Sequence, residues 1–165
     1  YASIAKSNKQ WLETCLYQEV TMKNTIENTM IERLIDEAFA SRKMAYTPYS
    51  HFQVGAALLT SEGKIYHGCN IENAAYTPTN CAERTAFFKA VSEGERSFKA
   101  IAIVGGNETA SEFDWCAPCG VCRQVMKEFC NEETFLIILA RSVSDYRIYT
   151  LAELFPMGFG PDNLN

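Results

Sequence analysis

Apolar residues first fall into a helical rhythm at Ile31, Leu34, Ile35 and Ala38, positions i, i+3, i+4 and i+7. That spacing puts one apolar stripe on one face of an α-helix. The helix is expected to run from about residue 25 to 45, because Thr47 precedes Pro48 and a residue before proline avoids the α region. The rhythm then changes. Residues 52–60 (FQVGAALLT) read as a strand, Ser61-Glu62-Gly63 as a turn, and residues 64–70 as the antiparallel partner. Residues 80–93 are expected to be helical, closed by Gly94. Residues 119–130 form a further expected helix, with Cys122, Val125, Met126 and Phe129 on its inner face. Two short unbroken apolar runs flank it, 100–104 (AIAIV) and 135–140 (FLIILA), and such runs suit strands buried on both faces. Strand, helix and strand together make a βαβ unit. Residues 146–150 are expected to add an edge strand, and 151–154 a last short helix. The fold class is therefore α/β, a three-layer α-β-α sandwich around a mixed sheet of about five strands. Residues 1–24 show no periodic pattern and are expected to be an extension, leaving 25–165 as a single domain.

Composition narrows the setting. Within 165 residues the net charge is −5, so there is no basic footprint of the kind a nucleic-acid surface needs. No apolar run approaches the roughly 20 residues that span a bilayer, and no secretory leader is evident, so a cytoplasmic protein is expected. The seven cysteines are 15, 69, 81, 116, 119, 122 and 130. An odd count without a leader argues against a disulfide framework, while a Cys-x-x-Cys pair favours metal or redox use. Cys15, Cys69 and Cys130 read as ordinary small apolar residues.

The candidate chemistry lies in two pieces, Cys81-Ala82-Glu83-Arg84 and Pro118-Cys119-Gly120-Val121-Cys122, whose leading cysteines stand 38 positions apart. Three thiolates and a carboxylate that need not bind the metal are the donor set of a catalytic zinc site with one open position. Cys116-x-x-Cys119 overlaps Cys119-x-x-Cys122. Pro118 sets the entry into a helix starting at Cys119, which favours the second pair and leaves Cys116 in the preceding loop. Three thiolates give a zinc centre a formal charge of −1, which weakens it toward water. Two features draw that charge back. Cys81 and Cys119 fall at expected helix N-termini, where free N–H groups favour an anion. Arg84 and Arg123 directly follow site residues, and a guanidinium can donate to a thiolate sulfur, although each is also what a solvated surface charge looks like. Glu83 alone would be explained as an acid complementing the helix dipole. As the proton carrier it must face the metal beside Cys81, and two residues are about 200° apart in a regular helix, so Cys81 must sit at the non-helical N-cap.

The chain resembles the cytidine deaminases of the small, homotetrameric, three-cysteine zinc type. The resemblance covers roughly residues 44–159. It is carried by Ala45-Tyr46-Thr47-Pro48-Tyr49-Ser50-His51-Phe52, Gly68-Cys69-Asn70-Ile71-Glu72-Asn73-Ala74-Ala75-Tyr76, Asn80-Cys81-Ala82-Glu83-Arg84-Thr85-Ala86 and Pro118-Cys119-Gly120-Val121-Cys122-Arg123-Gln124. It implies a zinc ion as cofactor, a pyrimidine nucleoside as partner, and an active site completed by neighbouring subunits. It further implies that Asn70 and Glu72 bind the ribose 3′-hydroxyl, that Phe52 packs on the pyrimidine, and that Tyr76 and Phe159 line sites, Phe159 that of a neighbour. Glu83 would move a proton from water to the ring nitrogen N3 and then to the departing amino group. Other readings stay open on the sequence alone: deamination of a cytosine-bearing antibiotic nucleoside, or a non-catalytic protein whose zinc is closed by Cys116 as a fourth ligand.

Overall fold

The apolar stripe from Ile31 to Ala38 becomes helix α1 (Asn28–Arg42), with Ile31, Leu34, Ile35 and Ala38 all buried. In the computed structural model, which describes residues 26–164, the extension expected at 1–24 lies outside the described residues. Helix α1 stops three residues before the expected end. The winding continues to Ala45 through tighter bonds, Met44 N–H to the Ser41 carbonyl at 3.0 Å and Ala45 N–H to the Arg42 carbonyl at 3.1 Å. Such i→i−3 bonds commonly tighten a helix end.

Next come β1 (Phe52–Thr60), β2 (Ile65–Cys69), α2 (Ala82–Ser92), β3 (Phe98–Asn107), α3 (Gly120–Phe129), β4 (Leu136–Ser142), β5 (Asp145–Thr150) and α4 (Leu151–Leu154). The five strands lie in the order β2-β1-β3-β4-β5. β1 runs antiparallel to both β2 and β3, β3 parallel to β4, and β4 antiparallel to β5. The mixed sheet and the βαβ unit formed by β3, α3 and β4 are thus present.

Alternation along the strands splits the core into two halves, because successive side chains leave opposite faces. On one face Ala57, Leu59, Ala102, Val104 and Ile138 meet the stripe of α1. On the other, Leu58, Ile101, Ile103 and Ile137 meet Ala86 and Phe87 of α2, Cys122 and Met126 of α3, and Leu151 of α4. Both cysteine-bearing helices therefore share one face. Gly68 of β2 fixes how closely α2 approaches: a Cβ there would stand 2.1 Å from the Ala82 carbonyl oxygen and 2.6 Å from the Ala86 nitrogen. Only glycine lets the first turn of α2, where Cys81 and Glu83 sit, rest directly on the sheet.

Candidate active site

Cys81 and Cys119 are the N-cap residues of α2 and α3, each extended, with ψ of 157° and 165°. The extended N-cap resolves the geometric condition on Glu83, because the chain turns at Cys81 before the helical rotation begins. Cys122 follows in the first turn of α3 and points into the core. The sulfurs of Cys81, Cys119 and Cys122 all lie within 4.8 Å of one another, with Cys81 to Cys119 at 3.9 Å and Cys119 to Cys122 at 3.4 Å. A tetrahedral ion with metal–sulfur bonds of about 2.3 Å sets its sulfurs about 3.8 Å apart. The three sulfurs are close to that spacing, and soft sulfur donors suit zinc.

Electrostatics agree. The Cys81 thiol is brought down to about 5, first by a hydrogen bond from Cys122 and then by Arg84. Cys122 is held up because it donates that bond and is buried. A divalent ion held there would take the place of the proton and bind all three as thiolates. Arg84 points Nη2 at Cys81 Sγ from 3.6 Å and at the Thr79 carbonyl from 3.3 Å, while its Nε is buried without a partner among the described residues. It is thus the guanidinium placed to offset charge on the Cys81 sulfur. Arg123 does something else. Its Nε and Nη1 donate to the carbonyls of Pro118, at 2.7 Å, and Leu154, at 2.6 Å. It braces the turn before Cys119 by gripping backbone rather than sulfur, because the guanidinium reaches back past the helix start.

Glu83 is buried, at 4% exposure. Burial lifts its carboxyl to about 7, and the Cys81 charge pushes the same way. A carboxyl with that affinity takes and returns a proton near neutral pH. Cys116 does not join the sulfur cluster. Its sulfur faces β3, where a Cβ on Gly105 would stand 2.5 Å from it and 3.2 Å from the Phe52 ring. Burial, with Glu83 and Cys81 nearby, pushes the Cys116 thiol up to about 12, but it is the position of its sulfur against Gly105, outside the cluster, that sets Cys116 apart from the other three. Cys69 donates to the Met44 carbonyl and Cys130 is raised by burial, so both behave as packing residues. Cys15 lies outside the described residues.

The remaining candidates lie on β1, just past β2 and on the C-terminal segment. Asn70 accepts from Val54 N–H and donates to the Phe52 carbonyl, both at 2.8 Å. The side chain therefore continues the β1–β2 ladder past the end of β2, in a fixed orientation, with one amide N–H and one lone pair left over. Glu72 accepts through Oε2 from Tyr49 N–H at 2.9 Å and Ser50 N–H at 3.2 Å. Hydrogen bonding around Ser50 and Tyr49 holds its carboxyl below the usual range. Glu72, Tyr76, Tyr49, Ser50 and Thr79 line a cavity of about 410 Å³, with the Tyr76 ring edge-on to Tyr49 at 6.3 Å. Phe52, at the start of β1, and Phe159, on the C-terminal segment, are both exposed, and the Phe159 carbonyl accepts from Gln124 Nε2 at 2.9 Å. Sequence reasoning missed Gly105, the Tyr49 and Ser50 amides and Thr79. A Gly-Gly pair ending an apolar run was the visible signal for the first.

A three-layer α/β sandwich that joins two helix N-termini through three cysteines, beside a buried glutamate, has the plan of a zinc-dependent deaminase. A family model described as the cytidine and deoxycytidylate deaminase zinc-binding region matches residues 28–138. A cytidine deaminase of Sporosarcina psychrophila is 53% identical over 135 residues, 82% of this chain and 95% of that protein. One from Halalkalibacterium halodurans is 48% identical over 134 residues, 81% of this chain and 97% of that protein. The crystal structure of a Burkholderia pseudomallei cytidine deaminase superposes with a TM-score of 0.69 at 47% identity, covering 77% of this chain and 97% of that one. The chain belongs to the cytidine and deoxycytidylate deaminase family, and its cofactor is zinc.

Proposed function

We propose that this protein hydrolyses cytidine and deoxycytidine to uridine and deoxyuridine with release of ammonia. The observation that carries the reading is a buried Glu83 beside three clustered sulfurs at two helix N-termini. Cys81, Cys119 and Cys122 would hold the zinc, which would supply Lewis acidity and lower the pKa of water toward neutrality. Glu83 takes the water proton and delivers it to N3 of the pyrimidine, making C4 electrophilic. Hydroxide then adds to C4, and the carboxylate takes the proton of the new C4 hydroxyl and passes it to the amino group, so that the C4–N bond breaks, ammonia leaves and C4 becomes the carbonyl of uridine. Arg84 and the two helix N-termini absorb thiolate charge, keeping the site from becoming too electron-rich. Arg123 steadies the Pro118 turn. Phe52 packs on the base, Asn70 and Glu72 hold the ribose, and Tyr76 lines the sugar side.

Glu72 commits Oε2 to the Tyr49 and Ser50 amides and offers Oε1 to the 3′-hydroxyl, so the 2′-hydroxyl is not read. Cytidine and 2′-deoxycytidine are expected to be deaminated with similar efficiency. Removing the 3′-hydroxyl should cost about tenfold or more, since a group built to bond it is left unmatched. A 5′-phosphate adds about −2 of charge beside Glu72, Glu83 and the thiolates, so cytidine 5′-monophosphate should be turned over poorly. Ammonia release from the four compounds is the measurement. Indifference to the 3′-hydroxyl, or efficient use of the monophosphate, would overturn this pocket.

A structural zinc site with Cys116 as fourth ligand is disfavoured, because Cys116 packs on Gly105 instead. A site that deaminates an antibiotic nucleoside in preference to cytidine would show in the same assay.

Large apolar side chains stand exposed, among them Met44, Tyr46, Phe88, Met157 and Phe159, which is the surface of a chain that buries more by association. The proposed assembly is a homotetramer in which Phe159 reaches a neighbour's site. Light scattering is expected to give four copies, and a fully active monomer would contradict it. The proposed setting is cytoplasmic pyrimidine salvage, with no nucleic-acid partner; among the described residues no helix is long and apolar enough to cross a membrane.

A further inference from the structure

Arg42, the last residue of α1, is only 8% exposed, and among the described residues no carboxylate lies within ion-pair distance of it. A buried charge without a counter-ion is costly and persists where hydrogen bonds and rigid neighbours compensate. Here they do. Nε donates to the Gln53 carbonyl at 3.1 Å, and Nη2 to the carbonyls of Gly106 at 2.9 Å and Asn107 at 2.6 Å. The guanidinium also stacks over the Phe113 ring, 4.7 Å from its centroid, and that ring meets Phe39 of α1 edge-on at 5.4 Å.

What Arg42 grips matters. Phe52 and Asn107 are register partners at the open ends of β1 and β3, so the three carbonyls belong to the strand ends that present Phe52. Gly105 and Gly106 are consecutive and face opposite sides of the sheet. A Cβ on Gly106 would stand 2.6 Å from the Phe113 ring, and one on Gly105 2.5 Å from Cys116 Sγ. The segment between β3 and α3 therefore straddles the end of β3. It sets Phe113 down on the α1 side and Cys116 on the side of the sulfur cluster, three residues before Cys119.

We propose that Arg42 is a positioning residue for deamination: from the far face of the sheet it fixes the strand ends and Phe113, and through them the wall of Phe52 and Cys116 against which the pyrimidine packs. The charge is needed because one planar fork must serve three carbonyls and an aromatic face together, which an ammonium cannot do. This rests on the proposed contact of Phe52 with the base.

The test uses zinc-loaded protein well below its melting temperature, with Arg42→Lys, Phe113→Leu and Phe52→Leu measured side by side. Arg42→Lys removes the fork and Phe113→Leu removes only the ring, so the second stands if the first fails to fold. A misplacement of about 1 Å in a binding wall costs up to about 100-fold, so KM for cytidine is expected to rise about ten- to a hundredfold in the Arg42 and Phe113 variants. kcat should change little, the pattern of lost binding and intact chemistry, and each chain should keep one zinc. An unchanged KM despite a lowered melting temperature would reduce Arg42 to a structural role and overturn the proposal. Losses restored by added zinc would overturn it as well, locating the effect at the metal. Should Phe52→Leu leave KM unchanged, the base wall itself is misassigned and the proposed route falls with it.

Discussion

Glu83→Gln is expected to leave the fold and one zinc per chain in place while cytidine deamination falls by about 10²–10⁴-fold or more, the usual contribution of a positioned acid–base group. Glutamine matches the buried volume and cannot carry a proton. The side chain is almost wholly enclosed, so bulk solvent cannot easily substitute for it. Its carboxyl, lifted to about 7 by burial, can give the proton back as readily as take it, which one group must do to serve both halves of the reaction. Single-turnover and steady-state rates, with zinc measured on the same samples, check this. A zinc-loaded Glu83→Gln protein working at the original rate would remove Glu83 from the mechanism.

Cys119→Ser should lose most of its zinc and, with it, nearly all activity, whereas Cys116→Ser should keep about one zinc per chain. The two cysteines stand three positions apart and differ only in where the backbone sends them. Cys119 caps α3 with its sulfur 3.9 Å from Cys81 and 3.4 Å from Cys122, while Cys116 is pressed onto Gly105. Metal analysis after dialysis decides between them. Zinc retained by Cys119→Ser and lost from Cys116→Ser would reverse the ligand assignment.

Much of this was legible locally. The stripe of Ile31, Leu34, Ile35 and Ala38 announced α1, and its burial came out as expected. The apolar runs around Ile101 and Ile137 became the central parallel pair. Pro118 placed Cys119 correctly at a helix entry, and Cys81 took the N-cap that Glu83 required. The misses share a cause. Arg42 at the end of a helical stripe looks like a solvated charge, because its partners Gly106 and Asn107 lie 64 and 65 positions away. β3 runs on through Gly105 and Gly106 to Asn107, because β1 supplies a pairing partner that two glycines do not suggest. For Arg123 the sequence leaves a thiolate partner and a solvated charge equally open, since adjacency says nothing about Leu154 coming within 2.6 Å. Periodicity reports burial on one element, and these contacts are made between elements.

The central place of β3 also orders events in time. α2 leads into that strand and α3 leads out of it, so bringing Cys81 to Cys119 is expected to wait on β3 pairing with both β1 and β4. Those pairings close long loops and belong to the slow part of assembly. Within α3 itself, Cys119 and Cys122 are two candidate ligands one helical turn apart. Metal capture is therefore expected late, with the ion stabilising a framework already in place. It should act mainly on the rate of unfolding, holding the finished molecule together without hastening its formation.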